Sequence, residues 1–310
     1  MSEHDVIVIG GGAAGLSAAL VLSRARRSVL VVDAGEPRNA PAAHVQGFLS
    51  RDGMPPGELL RAGRAEVESY GGRIISAKAI DIRFTSSGGL EAVLDDGTRP
   101  SARRVLIATG LRDELPTLPG IRDRFGRDVL HCPYCHGYEV RDRRLGVIGG
   151  GANSLHQVQL VRQWASDVVF FVAGTVLTAE QREQLIARAI GVVDGDVTGL
   201  VVEGDVLTGV EVDGARVVQR DAVFVAPRFV PNTDLLRRLG CVADENGWVA
   251  ADGGRTSIRG VWLAGNAGNP RAQLITAAGE GSAAAIALHA DLVDEDVRDA
   301  VTRFRLGMPA

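Results

Sequence analysis

The sequence contains little of several residue types, and each scarcity excludes a class of protein. Only three of its 310 residues are cysteine, too few for the disulfide framework of a small secreted protein. A formal net charge of -4 offers no basic surface for nucleic acid. No apolar run reaches the roughly 20 residues that a membrane helix needs. Residues 1–5 are short and polar, unlike a secretory signal. We therefore expect a cytoplasmic protein with no nucleic-acid or membrane partner.

Hydrophobic residues and glycine are plentiful. Hydrophobic residues make up 45% of the chain although aromatic residues contribute only 5%, and 39 residues are glycine. This composition supports a large ordered core and excludes extensive disorder. A chain rich in small residues also suits closely packed strands and close approach of the backbone to a ligand.

Two segments repeat the same strand–helix–strand order. The first has an apolar strand at residues 5–10, a helix at 11–27 and a strand at 28–33; the second has them at 145–149, 152–165 and 167–172. Short apolar runs rich in β-branched residues are typical of buried parallel strands. The repeat therefore predicts an α/β fold with two Rossmann-like, doubly wound, three-layer dinucleotide-binding domains.

The remaining elements indicate that the second domain is inserted into the first. Strands at 73–84, 89–94 and 103–109 are separated by Gly-Gly and Asp-Gly turns, and a late strand at 261–264 precedes a long Ala-rich helix from about Ala272. We expect a discontinuous first domain at residues 1–113 and 234–310, and an inserted domain at 114–233.

The first glycine motif has the context of a dinucleotide site. Gly10, Gly12 and Gly15 satisfy G-x-G-x-x-G directly after a strand, and Asp33 ends the next strand. Gly10 permits the turn, Gly12 lets the backbone approach a pyrophosphate, Gly15 lets helix pack on strand, and Asp33 can accept from a ribose hydroxyl. The alternative is a tight turn with no ligand. The motif alone does not separate FAD from NAD.

The cysteines Cys132 and Cys135 form a Cys-x-x-Cys pair flanked by His131 and His136. Such a pair can close a small disulfide ring, and Pro133 suits the first turn of a helix whose N-terminus would lower one thiol pKa. His136, and less directly His131, are candidates for moving the thiol proton. A zinc site and an inert buried pair are the alternatives, but two Cys and two His within six residues would crowd a tetrahedral metal, so we expect no metal.

Taken together, these motifs resemble the low-molecular-weight thioredoxin reductases and their relatives. The order is a first glycine motif with Asp33, a Cys-x-x-Cys shortly before a second glycine motif, and a C-terminal loop at Gly265 and Asn266 followed by Gln273 and Leu274. The resemblance implies FAD in the first domain, the cysteine pair on the inserted domain, flavin contacts from the C-terminal loop and helix, and a homodimer. The family usually has Asp where this chain has Asn266.

The resemblance and the glycine motif together give a set of expected FAD-binding residues. They are Gly10, Gly12, Ala13, Ala14, Gly15, Asp33, Ala34, Gly35, Asn39, Ala108, Thr109, Gly110, Gly265, Asn266, Gln273 and Leu274.

The second glycine motif departs from the family pattern. Gly149 and Gly151 are retained, Ser154 takes the third place, and these are the candidate residues for a nicotinamide nucleotide. In thioredoxin reductases a basic run after the next strand holds the 2′-phosphate of NADPH. Here the nearest downstream basic residue is Arg182, and no acidic residue ends the strand for an NAD ribose. NADPH is therefore doubtful, and a retained fold with a lost nucleotide site is the alternative.

A further departure lies beside the cysteines, where His136 replaces the Asp that thioredoxin reductases usually carry. This stretch and residues 33–39 look closer to the dithiol oxidase branch of gliotoxin and holomycin type. That resemblance implies a reaction in which a small-molecule or protein dithiol reduces the pair, the electrons pass to FAD, and O2 accepts them. By analogy Cys132 meets the substrate and Cys135 faces the flavin. An NADPH-dependent disulfide reductase and a flavin-bound redox sensor are the alternatives. For Tyr134 and Tyr138, beside the pair, we expect core packing rather than flavin contact.

Overall fold

The computed structural model of the protein describes residues 3–151 and 153–308. Its first group of elements builds one strand–helix unit and an antiparallel extension. These elements are β1 (His4–Ile9), α1 (Ala13–Arg24), β2 (Val29–Asp33), α2 (Pro56–Ser69), β3 (Arg73–Ser76), β4 (Ala79–Phe84), β5 (Leu90–Leu94) and β6 (Ser101–Ile107).

The middle of the chain contributes a second set of strands with short helices. They are β7 (Leu111–Glu114), α3 (Ile121–Arg124), β8 (Val129–Leu130), α4 (Pro133–His136), β9 (Leu145–Ile148), α5 (Ser154–Val161), β10 (Val168–Phe171), α6 (Ala179–Ala187), β11 (Ile190–Val193), β12 (Val197–Glu203), β13 (Val206–Val212), β14 (Arg216–Gln219), β15 (Ala222–Phe224) and β16 (Arg228–Pro231). The last elements are α7 (Asp234–Arg238), β17 (Val261–Leu263), a 3-10 turn (Gly265–Ala267) and α8 (Leu274–Arg305).

A seven-stranded sheet joins the two ends of the chain. Its order is β3-β2-β1-β6-β5-β4, and β17 lies beside β6. Strands β1, β2, β3, β6 and β17 run parallel, whereas β4 and β5 form an antiparallel extension. The parallel strands are apolar on both faces because α1 and α8 cover one face, and residues of β4, β5 and α7 join the core of the other.

A separate five-stranded parallel sheet, in the order β11-β10-β9-β15-β8, comes from the middle of the chain. Helices α5 and α6 pack on one face, and the antiparallel sheet β12-β13-β14 packs on the other. The predicted α/β fold class with two Rossmann-like domains is confirmed.

The chain crosses between the two sheets at one place. Strand β7 pairs antiparallel with β16, and the turns before and after them are tied together, since the Thr109 hydroxyl donates to the Asn232 carbonyl at 2.7 Å and the Asn232 amide donates to the Thr109 carbonyl at 2.9 Å. Arg38, in the loop after β2, forms a two-pronged ion pair with Asp113 of β7 at 2.7 Å. We propose that the domain boundaries lie here, at about residues 113 and 234.

Several predicted element ends differ from the structure. The strand expected over 73–84 is two strands, because β3 pairs with β2 while β4 turns away to pair with β5. The helix expected over 152–165 spans only Ser154–Val161, and the chain after it closes in turns, such as Trp164 N–H to Val161 carbonyl at 3.0 Å. Ala152, at its predicted start, lies outside the described residues. No helix in the described ranges is both long and apolar enough to cross a membrane.

Candidate active site

The first glycine loop links β1 to α1 and is tight at both ends but open in the middle. Gly10 has φ +107°, and a β-carbon there would lie 2.4 Å from the Ala108 carbonyl oxygen. A β-carbon at Gly15 would lie 1.9 Å from the Gly10 carbonyl oxygen. At Gly12 a β-carbon would meet no atom of residues 3–151 or 153–308 within 4 Å. The loop therefore has the form that the FAD pyrophosphate requires, with open space at the N-terminus of α1.

The structure brings three of the predicted FAD-binding segments together at this loop. Ala108 follows β6 and touches Gly10, as described. Gly265, with φ +71°, lies so close to Ala14 that a β-carbon on it would be 2.8 Å from the Ala14 β-carbon. A β-carbon at Gly281 of α8 would likewise lie 2.0 Å from the Ala14 carbonyl oxygen. The C-terminal loop and helix thus lie against the N-terminus of α1, and the flavin contacts that the resemblance implied for them stay a prediction.

Asp33 ends β2 and faces the same loop. Its carboxylate accepts from the Gly11 N–H at 3.1 Å and forms an ion pair with Arg64 of α2. Arg64 carried no motif, and the sequence offered no sign of this pairing. The role of this carboxylate as a ribose acceptor stays a prediction.

The other predicted FAD residues occupy the loops around this site. Ala34, Gly35 and Asn39 lie in the loop after β2; Thr109 and Gly110 lie between β6 and β7; Ala13 and Leu274 begin α1 and α8.

The C-terminal loop is shaped by two side chains. The Asn266 amide donates to the carbonyls of Asn269 and Ala272 at 2.9 and 3.0 Å. Glu280, a residue that the sequence analysis did not single out, accepts from the Gly265 N–H at 3.1 Å and from the Asn269 amide at 2.6 Å. These bonds fix the path of the chain up to Gln273.

The cysteine pair lies at the start of the short helix α4. Cys132 precedes its first residue, Pro133, and the Cys132 carbonyl accepts from the N–H groups of Cys135 and His136 at 3.2 and 3.1 Å. The two sulfur atoms lie 2.6 Å apart, and both cysteines are half-buried. The pair is therefore within reach of a disulfide bond.

The two thiols have different acidities. The hydrogen bond that the Cys135 thiol donates lowers the pKa of Cys132 to about 6, against the opposing effect of burial. The same bond, together with burial, raises the pKa of Cys135. At neutral pH the negative charge therefore lies on Cys132, which is the thiol predicted to meet the substrate.

The two histidines differ in their surroundings. The His136 Nδ1 atom is buried and has no hydrogen-bond partner among the described residues, and burial lowers the pKa of this imidazole below 6.5. His136 is therefore neutral at physiological pH and can accept a proton. His131 instead turns toward the Val225 carbonyl at 3.3 Å and packs edge-on against Phe229 at 5.0 Å. Burial also lowers the pKa of His131.

The expectation that Tyr134 and Tyr138 pack in the core is wrong. Their exposed fractions are 66% and 65%. Each ring rests against one neighbour, Trp164 for Tyr134 and the Arg141 guanidinium for Tyr138. Tyr134 lies on α4, which is only one turn long, and Tyr138 lies in the turns after it, so neither ring belongs to a helix face that packs into the core.

Gln273 was predicted to contact the flavin, and the structure places it against the sulfur atoms. Its Oε1 atom lies 3.2 Å from the Cys135 Sγ, and its Nε2 atom lies 3.5 Å from the Cys132 Sγ. The contact joins the C-terminal helix to the cysteine pair across 138 residues of sequence. No sequence signal distinguished this role from flavin binding.

In the second glycine loop, between β9 and α5, Gly150 and Gly151 are contacted by side chains of Ser154, Thr175 and Ala226. The Gly150 N–H donates to the Thr175 hydroxyl at 2.8 Å, and the Gly151 N–H donates to the Ser154 hydroxyl at 3.1 Å. Ser154 is fully buried. A β-carbon at Gly151 would lie 2.8 Å from that of Ala226. Two N–H groups that could hold a phosphate are therefore already used within the loop.

The third cysteine is remote from this chemistry. Cys241 is buried in the core beside β4 and β6, and burial raises its pKa. Within the described ranges no group of three or more His, Cys, Asp or Glu side chains is arranged to hold a metal ion.

Comparison with known proteins gives a consistent result. Residues 4–281 match the pyridine nucleotide-disulphide oxidoreductase family. The crystal structure of HlmI is 52% identical, with a TM-score of 0.94 over 98% of this chain and 97% of that one. An oxidoreductase from Agrobacterium tumefaciens is 35% identical, with a TM-score of 0.88 over 94% and 99% of the two chains. A thioredoxin reductase of Listeria monocytogenes is 29% identical over 91% of each chain. The resemblance predicted from the motifs is confirmed.

Proposed function

We propose that this chain, which belongs to the pyridine nucleotide-disulphide oxidoreductase family and is a thioredoxin reductase-like, FAD-dependent disulfide oxidoreductase, works in the oxidising direction. Its substrate is a dithiol that leaves as a disulfide, and O2 accepts the electrons and is released as hydrogen peroxide. One observation supports this direction: the N–H groups of Gly150 and Gly151 in the second glycine loop already donate to the hydroxyls of Thr175 and Ser154. A disulfide reductase would need that loop for NADPH.

The reaction begins at the disulfide between Cys132 and Cys135. His136, neutral and with a free buried Nδ1 atom, takes the proton of one substrate thiol. The resulting thiolate attacks the Cys132 sulfur, the bond between the two cysteines breaks, and Cys135 leaves and takes up the proton from His136. The acidity of Cys132 next makes it a good leaving group. The second substrate thiol gives its proton to His136 and attacks the substrate sulfur of the mixed disulfide, which frees Cys132 as a thiolate.

The pair ends this half-reaction with two more electrons than it began with. The residues that would hold FAD are those of the first glycine loop, with Asp33 for the ribose and the segment after β17 for the flavin end. When bound, FAD supplies the two-electron acceptor that reoxidises the pair and the centre from which O2 takes two electrons and two protons.

The direction can be tested by anaerobic stopped-flow absorbance of the flavin at 450 nm. We expect dithiothreitol, as a probe dithiol, to bleach the flavin, and air to restore it with one hydrogen peroxide per flavin. We expect NADPH and NADH to leave the flavin oxidised on the same time scale. Rapid bleaching by either nucleotide would overturn the proposal in favour of an NADPH-dependent reductase.

Two substitutions connect this assay to the cysteine pair. Cys132→Ser and Cys135→Ser should retain FAD but lose more than about 100-fold of the dithiol-driven bleaching rate, because neither can form the disulfide. The buried Cys241→Ser is the matched control and should bleach normally. Full turnover by either pair variant would dismiss both the dithiol oxidase and the NADPH-dependent reductase, since each passes its electrons through the cysteine pair.

We also propose that the protein is a homodimer that pairs through α8. This helix exposes an apolar stripe along one face, defined by residues spaced 7, 4, 4 and 3 apart: Ile286, Val293, Val297, Val301 and Phe304. Phe304 is 83% exposed, which is unusual for so large an apolar side chain on a helix face. A second copy would cover it. Light scattering after size exclusion should give twice the chain mass for the protein and the chain mass for Val297→Glu.

A further inference from the structure

The side chain of Gln273 contacts both sulfur atoms of the cysteine pair but has no part in the reaction proposed above. It lies directly before the first turn of α8, yet its side chain makes no hydrogen bond to that helix. The carboxamide instead spans the two sulfur atoms, with Oε1 at 3.2 Å from Cys135 and Nε2 at 3.5 Å from Cys132. Both distances are within hydrogen-bonding range for sulfur.

The two ends of a carboxamide are chemically opposite. The oxygen only accepts hydrogen bonds and the nitrogen only donates them. A sulfur facing the oxygen is bonded only if it carries a proton, and a sulfur facing the nitrogen is bonded best as a thiolate. We infer that Gln273 is a catalytic residue of the dithiol site whose carboxamide places the proton on Cys135 and the negative charge on Cys132.

The acidity of Cys132 agrees with this assignment. The Gln273 bond is among the causes that lower the pKa of Cys132, after the larger contribution of the Cys135 thiol. Cys135 has a single S–H proton, so its bonds to the Gln273 Oε1 atom and to the Cys132 sulfur are alternatives. The Nε2 bond is therefore the contribution that Gln273 itself makes to the Cys132 thiolate.

The position of Gln273 is fixed from both sides. The Gln273 carbonyl accepts from the Ala277 N–H at 2.8 Å in the first turn of α8, a helix of 32 residues. On the other side, Asn266 holds the preceding loop through the Ala272 carbonyl at 3.0 Å. The C-terminal loop, which is expected to bind the flavin, thus also positions the Gln273 amide beside the two sulfur atoms.

The Gln273 amide affects the protonation state of the cysteine pair when the pair is reduced. The inference rests on the proposed function, in which Cys132 is the thiol that meets and releases the substrate. With Gln273 in place, the reduced pair has one defined protonation state, with Cys132 ionised. Without it, the Cys132 thiolate loses one of its donors and becomes a poorer leaving group.

The test is the pH dependence of alkylation of Cys132 by iodoacetamide, followed by peptide mass spectrometry under anaerobic conditions after dithionite has reduced both the cysteine pair and the bound FAD. We expect a midpoint of about 6 in the unaltered protein. Gln273→Leu removes both polar ends at similar size and should raise the midpoint by about one pH unit. Gln273→Glu keeps an acceptor, removes the donor and adds negative charge, so its midpoint should rise further.

Gln46→Leu is the matched control. It is the same chemical change at a residue whose amide donates to Glu139 at 3.1 Å instead of to a sulfur, so its midpoint should not move. A midpoint for Gln273→Leu within about 0.2 pH units of the unaltered value, in protein that retains its flavin, would overturn the inference. An equal shift in Gln46→Leu would also overturn it. The titration does not involve the oxidant or the direction of electron flow, so it can fail while the dithiol–oxygen assay succeeds, and the reverse.

Discussion

The two strand–loop–helix turns of this chain, at residues 10–15 and 149–154, begin with the same hydrogen bond. Gly10 N–H donates to Val32 carbonyl, and Gly149 N–H donates to Phe171 carbonyl, both at 2.8 Å. The next N–H in each loop donates to a side chain at or after the end of the neighbouring strand, Asp33 at the end of β2 and Thr175 after β10.

The loops diverge at the third glycine. Gly12 faces open space, whereas Gly151 donates to the buried Ser154 hydroxyl and lies against Ala226. The Asp33 acceptor is also charged, and Thr175 is not. The same backbone frame therefore supports a ligand site in one half and a closed packing contact in the other. The difference comes from a few side chains, and substitutions at them can test it.

The largest effect is expected from Gly12→Asp. Gly12 has φ -80°, so the backbone accepts a side chain, but a carboxylate there fills the pyrophosphate space with like charge. The variant should fold and purify without FAD, with the 450 nm absorbance per protein reduced more than about 10-fold. Gly57→Asp, also in open space, is the control and should stay yellow. A yellow Gly12→Asp protein would show that this loop is not the FAD site.

The cysteines of the two halves should differ by more than about 30-fold in reactivity at pH 7. Cys132, with a pKa of about 6, is mostly thiolate, whereas burial raises the pKa of Cys241 and shields it. Since the thiolate is the nucleophile, alkylation of Cys132 should fall as the pH drops through 6, and Cys241 should react only after denaturation. Peptide mass spectrometry measures both. Equal labelling in the native protein would contradict the difference.

An intermediate effect on FAD binding is expected when the side chains that accept from Gly11 and Gly150, Asp33 and Thr175, are compared. Asp33→Ala removes a charged partner of the Gly11 N–H and of Arg64, and the ribose acceptor, so FAD should bind about 10- to 100-fold more weakly. Thr175→Val removes the corresponding partner of Gly150 and should leave FAD binding unchanged. Equilibrium dialysis of FAD measures the two constants. Equal weakening in both would mean that the second loop also supports the flavin.

The smallest effect is expected from Ser154→Ala. The change frees the Gly151 N–H inside the second loop and should lower the unfolding free energy by about 1 kcal/mol, or the melting temperature by about 2 °C. Flavin content should not change, and NADPH should still fail to bleach the flavin because no basic residue follows β10 before Arg182. Bleaching gained by this variant would show that the serine hydroxyl alone had closed the site.

The sequence was sufficient for the parts of this molecule whose signals are local. Gly10, Gly15 and Asp33 predict the first strand-to-helix turn and the end of the next strand, because a tight turn and a strand end require particular residue types at a fixed spacing. Cys132 and Pro133 likewise predicted the start of a short helix. Each of these involves neighbours within about 25 residues.

The other features of the site depend on contacts between segments that are distant in sequence. Arg64 pairs with Asp33 and Gln273 reaches the cysteines, and neither residue type signals its partner in the sequence. Ser154 was recognised as a departure, but its buried bond to Gly151 needs coordinates. Tyr134 and Tyr138 were misjudged because the length of α4, which decides whether a face is buried, is set by the chain around it.

The bonds between Thr109 and Asn232 have a consequence for the ancestry and engineering of the chain. They bring the two crossing points side by side, so everything between them is a cassette whose two ends already touch. We expect that a short turn from residue 110 to 232 would close the gap with β6 and α7 left where they are. The shortened chain would keep the proposed flavin-binding residues and lose the cysteine pair, so flavin retained by it would show that the flavin half folds alone.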